Sequence, residues 1–136
     1  MVAQIIGAIL GAFVAHGMFA LDIVQSSTPV RTGTAQWFAE IVSTCGLVGT
    51  ILAGLRCKAE AIPWLVGLYI TAAYWFTAST SFANPAVAIA RSFTDTFSGI
   101  RPIDLPGFIG AELIGAALAV ALFGWLLQSE LDTEKA

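Results

Sequence analysis

The sequence predicts an all-α membrane protein with about four transmembrane helices and one re-entrant half-helix. Its apolar share, its shortage of charge and the lengths of its apolar runs all point to that class. Of 136 residues, 57% are hydrophobic and only 11% are charged, and the mean hydropathy is +0.83. A soluble domain of this size is about 25% charged, so the chain has too little polar surface to coat a water-soluble particle. Lipid must cover part of it. Four apolar runs lie near the ~20 residues that cross a bilayer core.

The first run, residues 2–21, has Gln4 and His16 as its only strongly polar members. It lacks a basic leader and is too long for the apolar core of a signal peptide, so it reads as a span. The second, residues 35–55, contains Gln36 and Glu40; the third covers residues 62–76; the fourth, residues 105–127, contains Glu112. Lipid forces each span to satisfy its own backbone, which makes them helices. Residues 22–34, with Pro29 and Gly33, read as an exposed loop. The turn Arg56-Cys57-Lys58-Ala59-Glu60 carries two positive charges that favour the cytoplasmic side and place both termini there too. The polar tail, residues 128–136, reads as frayed.

Residues 77–106 are too long for a tight turn and too apolar for an aqueous loop. Within them, 86–97 read as helix after Asn84-Pro85. Twelve helical residues would span ~18 Å, well short of a ~30 Å core. The expectation is a half-helix that enters the membrane and turns back. The chain also repeats itself: Ala3-Gln4-Ile5-Ile6-Gly7-Ala8-Ile9-Leu10 returns as Ala111-Glu112-Leu113-Ile114-Gly115-Ala116-Ala117-Leu118, five of eight positions identical. Small residues at this spacing suit close helix packing, which alone could produce part of the match. Repeated helices are also how many transport folds are built.

A net charge of −3 with six scattered basic residues offers no nucleic-acid footprint. Cys45 and Cys57 read as two free thiols. One histidine and no cluster of cysteines or carboxylates argue against a membrane enzyme. His16 reads as structural rather than metal-ligating, and no cofactor is implied.

The decisive stretch is Ser81-Phe82-Ala83-Asn84-Pro85-Ala86-Val87. Asn84 suits the cap of a half-helix, its side-chain oxygen accepting a first-turn N–H while its N–H₂ stays free to donate. Pro85 suits the first helical position, and Ala86 leaves room for an opposing loop. A helix start at mid-membrane would oppose cations while letting neutral solutes pass. In its context of spans, this Asn-Pro-Ala stretch resembles the major intrinsic protein family, the aquaporins and glycerol facilitators. Ala39-Glu40 also resembles the openings of that family's first and fourth helices.

The resemblance covers essentially the whole chain, residues 1–136, as a single membrane domain matching the family's third to sixth helices. The first two helices and the first Asn-Pro-Ala loop have no counterpart in it. It implies a passive channel for water or small uncharged solutes, glycerol-like molecules or metalloid hydroxides, in a bacterial cell membrane. A homotetramer, or assembly with a complementary half, is implied as well. The competing reading is a non-conducting subunit or gene fragment.

For the site, the resemblance implies a pore triplet of Asn84, Pro85 and Ala86, and a filter of Ala72, Ser81 and Val87. Val87 stands where most of the family carries arginine, which implies a wide, uncharged ring. Glu40 is implied to accept hydrogen bonds from the re-entrant loop. Two readings suit Arg91: lining an outer vestibule one turn beyond Val87, or snorkelling and pairing with Asp95. Glu112 reads as a packed, hydrogen-bonded or protonated group.

Overall fold

The computed structural model describes the backbone of residues 2–134 and the side chains of residues 2–127. Among the described residues are five α-helices, two short 3₁₀ turns and no strand. The helices are α1 (Val2–Met18), α2 (Thr34–Cys57), α3 (Ile62–Phe76), α4 (Pro85–Arg91) and α5 (Leu105–Glu134). The described residues form an all-α fold, consistent with a membrane protein of partial aquaporin-like type.

Two segments, Thr34–Cys57 and Pro102–Leu127, are long and apolar enough to cross a membrane. The other two expected spans are shorter than a full bilayer core. α1 has 17 residues and α3 has 15, or ~25 and ~22 Å of helix. α1 stops because the chain turns sharply after Met18. Ala20 takes a left-handed φ of 54°, Leu21 N–H reaches back to the His16 carbonyl at 2.9 Å and Ala20 N–H to Gly17 at 3.4 Å. This is the two-bond Schellman ending, formed here on alanine instead of glycine. At the other end of the chain α5 continues to Glu134, so the backbone of residues 128–134 is helical where the sequence suggested fraying.

α2 and α5 form the central pair, and glycine sets how close they come. A Cβ on Gly115 would lie 2.6 Å from the Ile41 carbonyl oxygen, and one on Gly49 would lie 2.2 Å from the Phe123 ring. α3 leans on the other side of α2, where Tyr69 donates its hydroxyl to the Ser43 carbonyl at 2.9 Å. α1 packs against α4. Val2, Ile6, Leu10 and Val14 of α1 stay exposed, as do Trp64 and Trp75 of α3. Such apolar surface fits lipid or a further helix, not water.

The loop between α1 and α2 is exposed over most of its length, as expected, but two of its residues turn inward. Ser27 and Arg31 are buried in it. Ser27 N–H bonds the Ser92 carbonyl at 3.0 Å and Arg101 N–H bonds the Pro29 carbonyl at 3.3 Å. Thr28 gives both its N–H and its hydroxyl to one Asp95 oxygen, each at 2.8 Å. Ser27 and Arg31 turn inward because residues 92–101 offer partners to the loop backbone.

Candidate functional site

The site is built around residues 79–91, which drop between α2 and α5. Three non-glycine residues there hold left-handed backbone: Thr80 (φ 62°), Ser81 (50°) and Ala83 (48°). Each such residue costs on the order of 1–3 kcal/mol and persists only where its surroundings fix it. Two buried carboxylates do that from beneath. Glu40, fully buried on α2, accepts Phe82 N–H on Oε1 and Ala83 N–H on Oε2, both at 2.9 Å. Glu112, on α5, accepts Asn84 N–H on Oε1 at 3.1 Å. Three consecutive amides are thereby satisfied by acceptors from two different helices.

Asn84 caps α4. Its φ of −160° and ψ of 120° are extended, and its Oδ1 accepts Ala86 N–H at 2.9 Å. Pro85 follows at the first helical position, and Ala86, Ala88 and Ala90 are buried. α4 is shorter than the sequence suggested, ending at Arg91 instead of running to residue 97. Seven residues make ~10 Å of helix. It stops because the Arg91 carbonyl is taken by Ile100 N–H at 3.2 Å, while Ser92 and Phe93 bond back three residues in a tightened last turn. Ser92 Oγ also bonds the Ile89 carbonyl, at 2.7 Å.

A groove of about 280 Å³ runs between α1 and α4, lined by Ala8, Gly11, Ala12 and Ala15 on one side and Val87 and Arg91 on the other. Small residues on α1 leave this space open. At one end it meets a cavity of about 450 Å³ whose wall includes Ala15, His16, Arg91, Thr96 and Phe97. Val87 also touches the small core of Phe82, Ala88, Ile100 and Phe108. Ala72 and Ser81 do not line the groove. Ala72 is on the exposed side of α3, and Ser81 is buried with a hydroxyl that no partner reaches.

Arg91 does not pair with Asp95. It donates Nη1 to Ser98 Oγ at 2.9 Å and faces both cavities. Asp95 is held by Thr28, whose backbone and side-chain hydrogen bonds keep its carboxyl below the usual value. His16 is buried, its Nδ1 donating to the Ile23 carbonyl at 2.8 Å. Among the described residues no group of histidines, cysteines and carboxylates could hold a metal, and both cysteines are free thiols.

Sequence reasoning missed the role of Arg31 and the partner of Glu112. Glu112 was legible through its repeat with Gln4, but its target, the Asn84 amide, is 28 positions away. Arg31 was read as part of an exposed loop. It is 8% exposed and its guanidinium is turned inward onto backbone carbonyls. The available signal was a lone arginine in the loop between two apolar helices.

A loop bearing Asn-Pro-Ala, set between apolar helices and held there by buried carboxylates, defines a partial aquaporin-like membrane unit. The chain is 68% identical over 127 residues to the aquaglyceroporin AqpS of Rhizobium meliloti (strain 1021). This similarity is consistent with a partial member of the major intrinsic protein family. The aligned region takes in 93% of the chain and 54% of the relative, so the chain spans about half the length of the curated relative it matches. No family model matches the chain, and no solved structure does.

Proposed function

We propose that this chain forms one side of a passive transmembrane channel for water or small uncharged solutes, with glycerol-like molecules and metalloid hydroxides as the solute class. One observation carries the reading most strongly. The Asn84-Pro85-Ala86 segment is fixed inside an apolar helix set by Glu40 and Glu112, beside a groove that Val87 and Arg91 line. Asn84 Oδ1 is committed to its cap, so the carboxamide is oriented and its N–H₂ can donate to a passing oxygen. Val87 makes the wall beside it apolar and uncharged, which favours neutral solutes larger than water. Of the three filter residues expected from the sequence, only Val87 lines this groove, and Arg91 lines the vestibule. The likeness to an aquaglyceroporin supports transport rather than catalysis.

The unit works in a lipid bilayer as a multi-pass protein, in a bacterial cell membrane. A complementary half closes its groove, and the assembly is a homotetramer with one pore per protomer. Proteoliposomes test this. The chain is reconstituted alone and together with the part of the aquaglyceroporin relative that has no counterpart in it. Stopped-flow light scattering then follows glycerol entry. Entry faster than in empty vesicles, at least in the combined sample, is the expected result. Rates equal to empty vesicles in both samples overturn the proposal.

A further inference from the structure

The loop between α1 and α2 carries one buried cation, Arg31. Its Nε donates to the Gly99 carbonyl at 2.7 Å. Its Nη1 donates to the Ser79 carbonyl at 2.8 Å and to Thr80 Oγ1 at 3.3 Å, and its Nη2 donates to the Phe97 carbonyl. The guanidinium carbon lies 5.5 Å from the centroid of the Phe82 ring. Its own backbone N–H is anchored on Asp104 Oδ2 at 2.9 Å, and Asp104 in turn holds Arg101 through both carboxylate oxygens at 3.0 Å.

One planar group therefore ties the segment that enters the site (Ser79, Thr80) to the segment that leaves it (Phe97, Gly99). Every acceptor on the guanidinium is a neutral oxygen. Burial pulls the arginine below its usual pKa, with Tyr74 and Glu40 acting the other way, and a guanidinium so placed stays charged. A charged donor on neutral carbonyls makes strong bonds, and the fork can satisfy several at once. An ammonium on a flexible stem cannot reach the same set.

We infer that Arg31 is a positioning residue for the solute path. It fixes the left-handed run at Thr80 and Ser81 from above while Glu40 and Glu112 fix the loop from below. It also holds Phe97 in the wall of the outer cavity beside Arg91 and His16. The clearance that solutes meet is set by where Phe97 and the 79–83 segment stand. Arg31 thus selects among solutes without touching them, and this role in selection rests on the channel reading proposed above.

The test compares the unaltered chain with Arg31→Gln and with the milder Arg31→Lys, which keeps a buried cation but not the fork. Amide hydrogen exchange in lipid nanodiscs reads the clamp without any need for conduction. Segments 79–83 and 97–101 exchange roughly tenfold faster or more in both variants, while α2 and α5 keep their rates. Unchanged exchange in these segments overturns the inference. In the conducting reconstitution, the ratio of glycerol to water flux shifts in both variants. Fluxes that fall in equal proportion reduce Arg31 to a fold residue and overturn its role in selection. If the unaltered chain conducts neither solute in any reconstitution, the channel proposal fails while exchange still decides the clamp.

Discussion

Replacing Glu40 by glutamine is the sharpest probe of how the loop is held. The carboxylate gives one oxygen to Phe82 N–H and the other to Ala83 N–H. Glutamine keeps one acceptor and puts an N–H₂ donor against the second amide. That amide becomes a buried donor without a partner, which costs about 1–3 kcal/mol. The surviving bond changes from charge-assisted to neutral and loses about half its strength, adding roughly 1 kcal/mol. The sum is about 2–4 kcal/mol, a large fraction of a folded domain's margin of about 5–15 kcal/mol. Glu112→Gln should behave differently. Only Oε1 of Glu112 is used, and Oε2 has no partner, so the amide oxygen can replace it. The net change should stay within about 1 kcal/mol. Unfolding free energies in mixed SDS micelles measure both variants. Equal losses for the two, or a neutral Glu40→Gln, would refute the reasoning that bond count on the loop decides its stability.

Three further outcomes follow from the geometry. Gly115→Ala should destabilise by about 1–3 kcal/mol because its Cβ would meet the Ile41 carbonyl, while Gly7→Ala, with nothing within 4 Å, should be neutral or slightly stabilising; SDS unfolding of both separates a packing glycine from a free one. Val87→Arg should reduce glycerol flux much more than water flux, since a long cation would fill the groove between α1 and α4; equal losses in stopped-flow measurements would place Val87 away from the selective wall. Asp95 has a lowered carboxyl pKa through its bonds to Thr28. Its contribution to stability is therefore full above the unfolded-state value and lost as pH falls through the lower folded value. Amide exchange at Thr28 should rise on acidification, and Asp95→Asn should flatten that dependence; a variant as acid-sensitive as the unaltered chain would show the group is not Asp95.

Much of the site was legible where the chemistry is local. Asn84 and Pro85 cap and start a helix through atoms two or three residues apart, so the pair announces α4 by itself. The end of α4 was not legible. Residues 92–97 have no proline to stop a helix, and what stops it is Ile100 N–H folding back onto the Arg91 carbonyl. The carboxylate at Glu40 stood out because a charge in an apolar span needs a partner, yet nothing in its neighbours names Phe82 and Ala83, more than 40 positions on.

The amino-acid sequence by itself determined that this is an all-α membrane chain. It also fixed the places of its long apolar helices and the Asn-Pro-Ala start of the short one. Hydrophobic length and capping are properties of neighbouring residues, and a linear reading captures them. Only the tertiary structure decided that Ser27 and Arg31 turn inward from their loop, that Arg31 joins Ser79 to Gly99, and that Glu40 and Glu112 share one loop. Those bonds connect residues 28 to 73 positions apart. Which buried donor meets which buried acceptor is settled when helices pack and water leaves, and no periodicity in the chain records it.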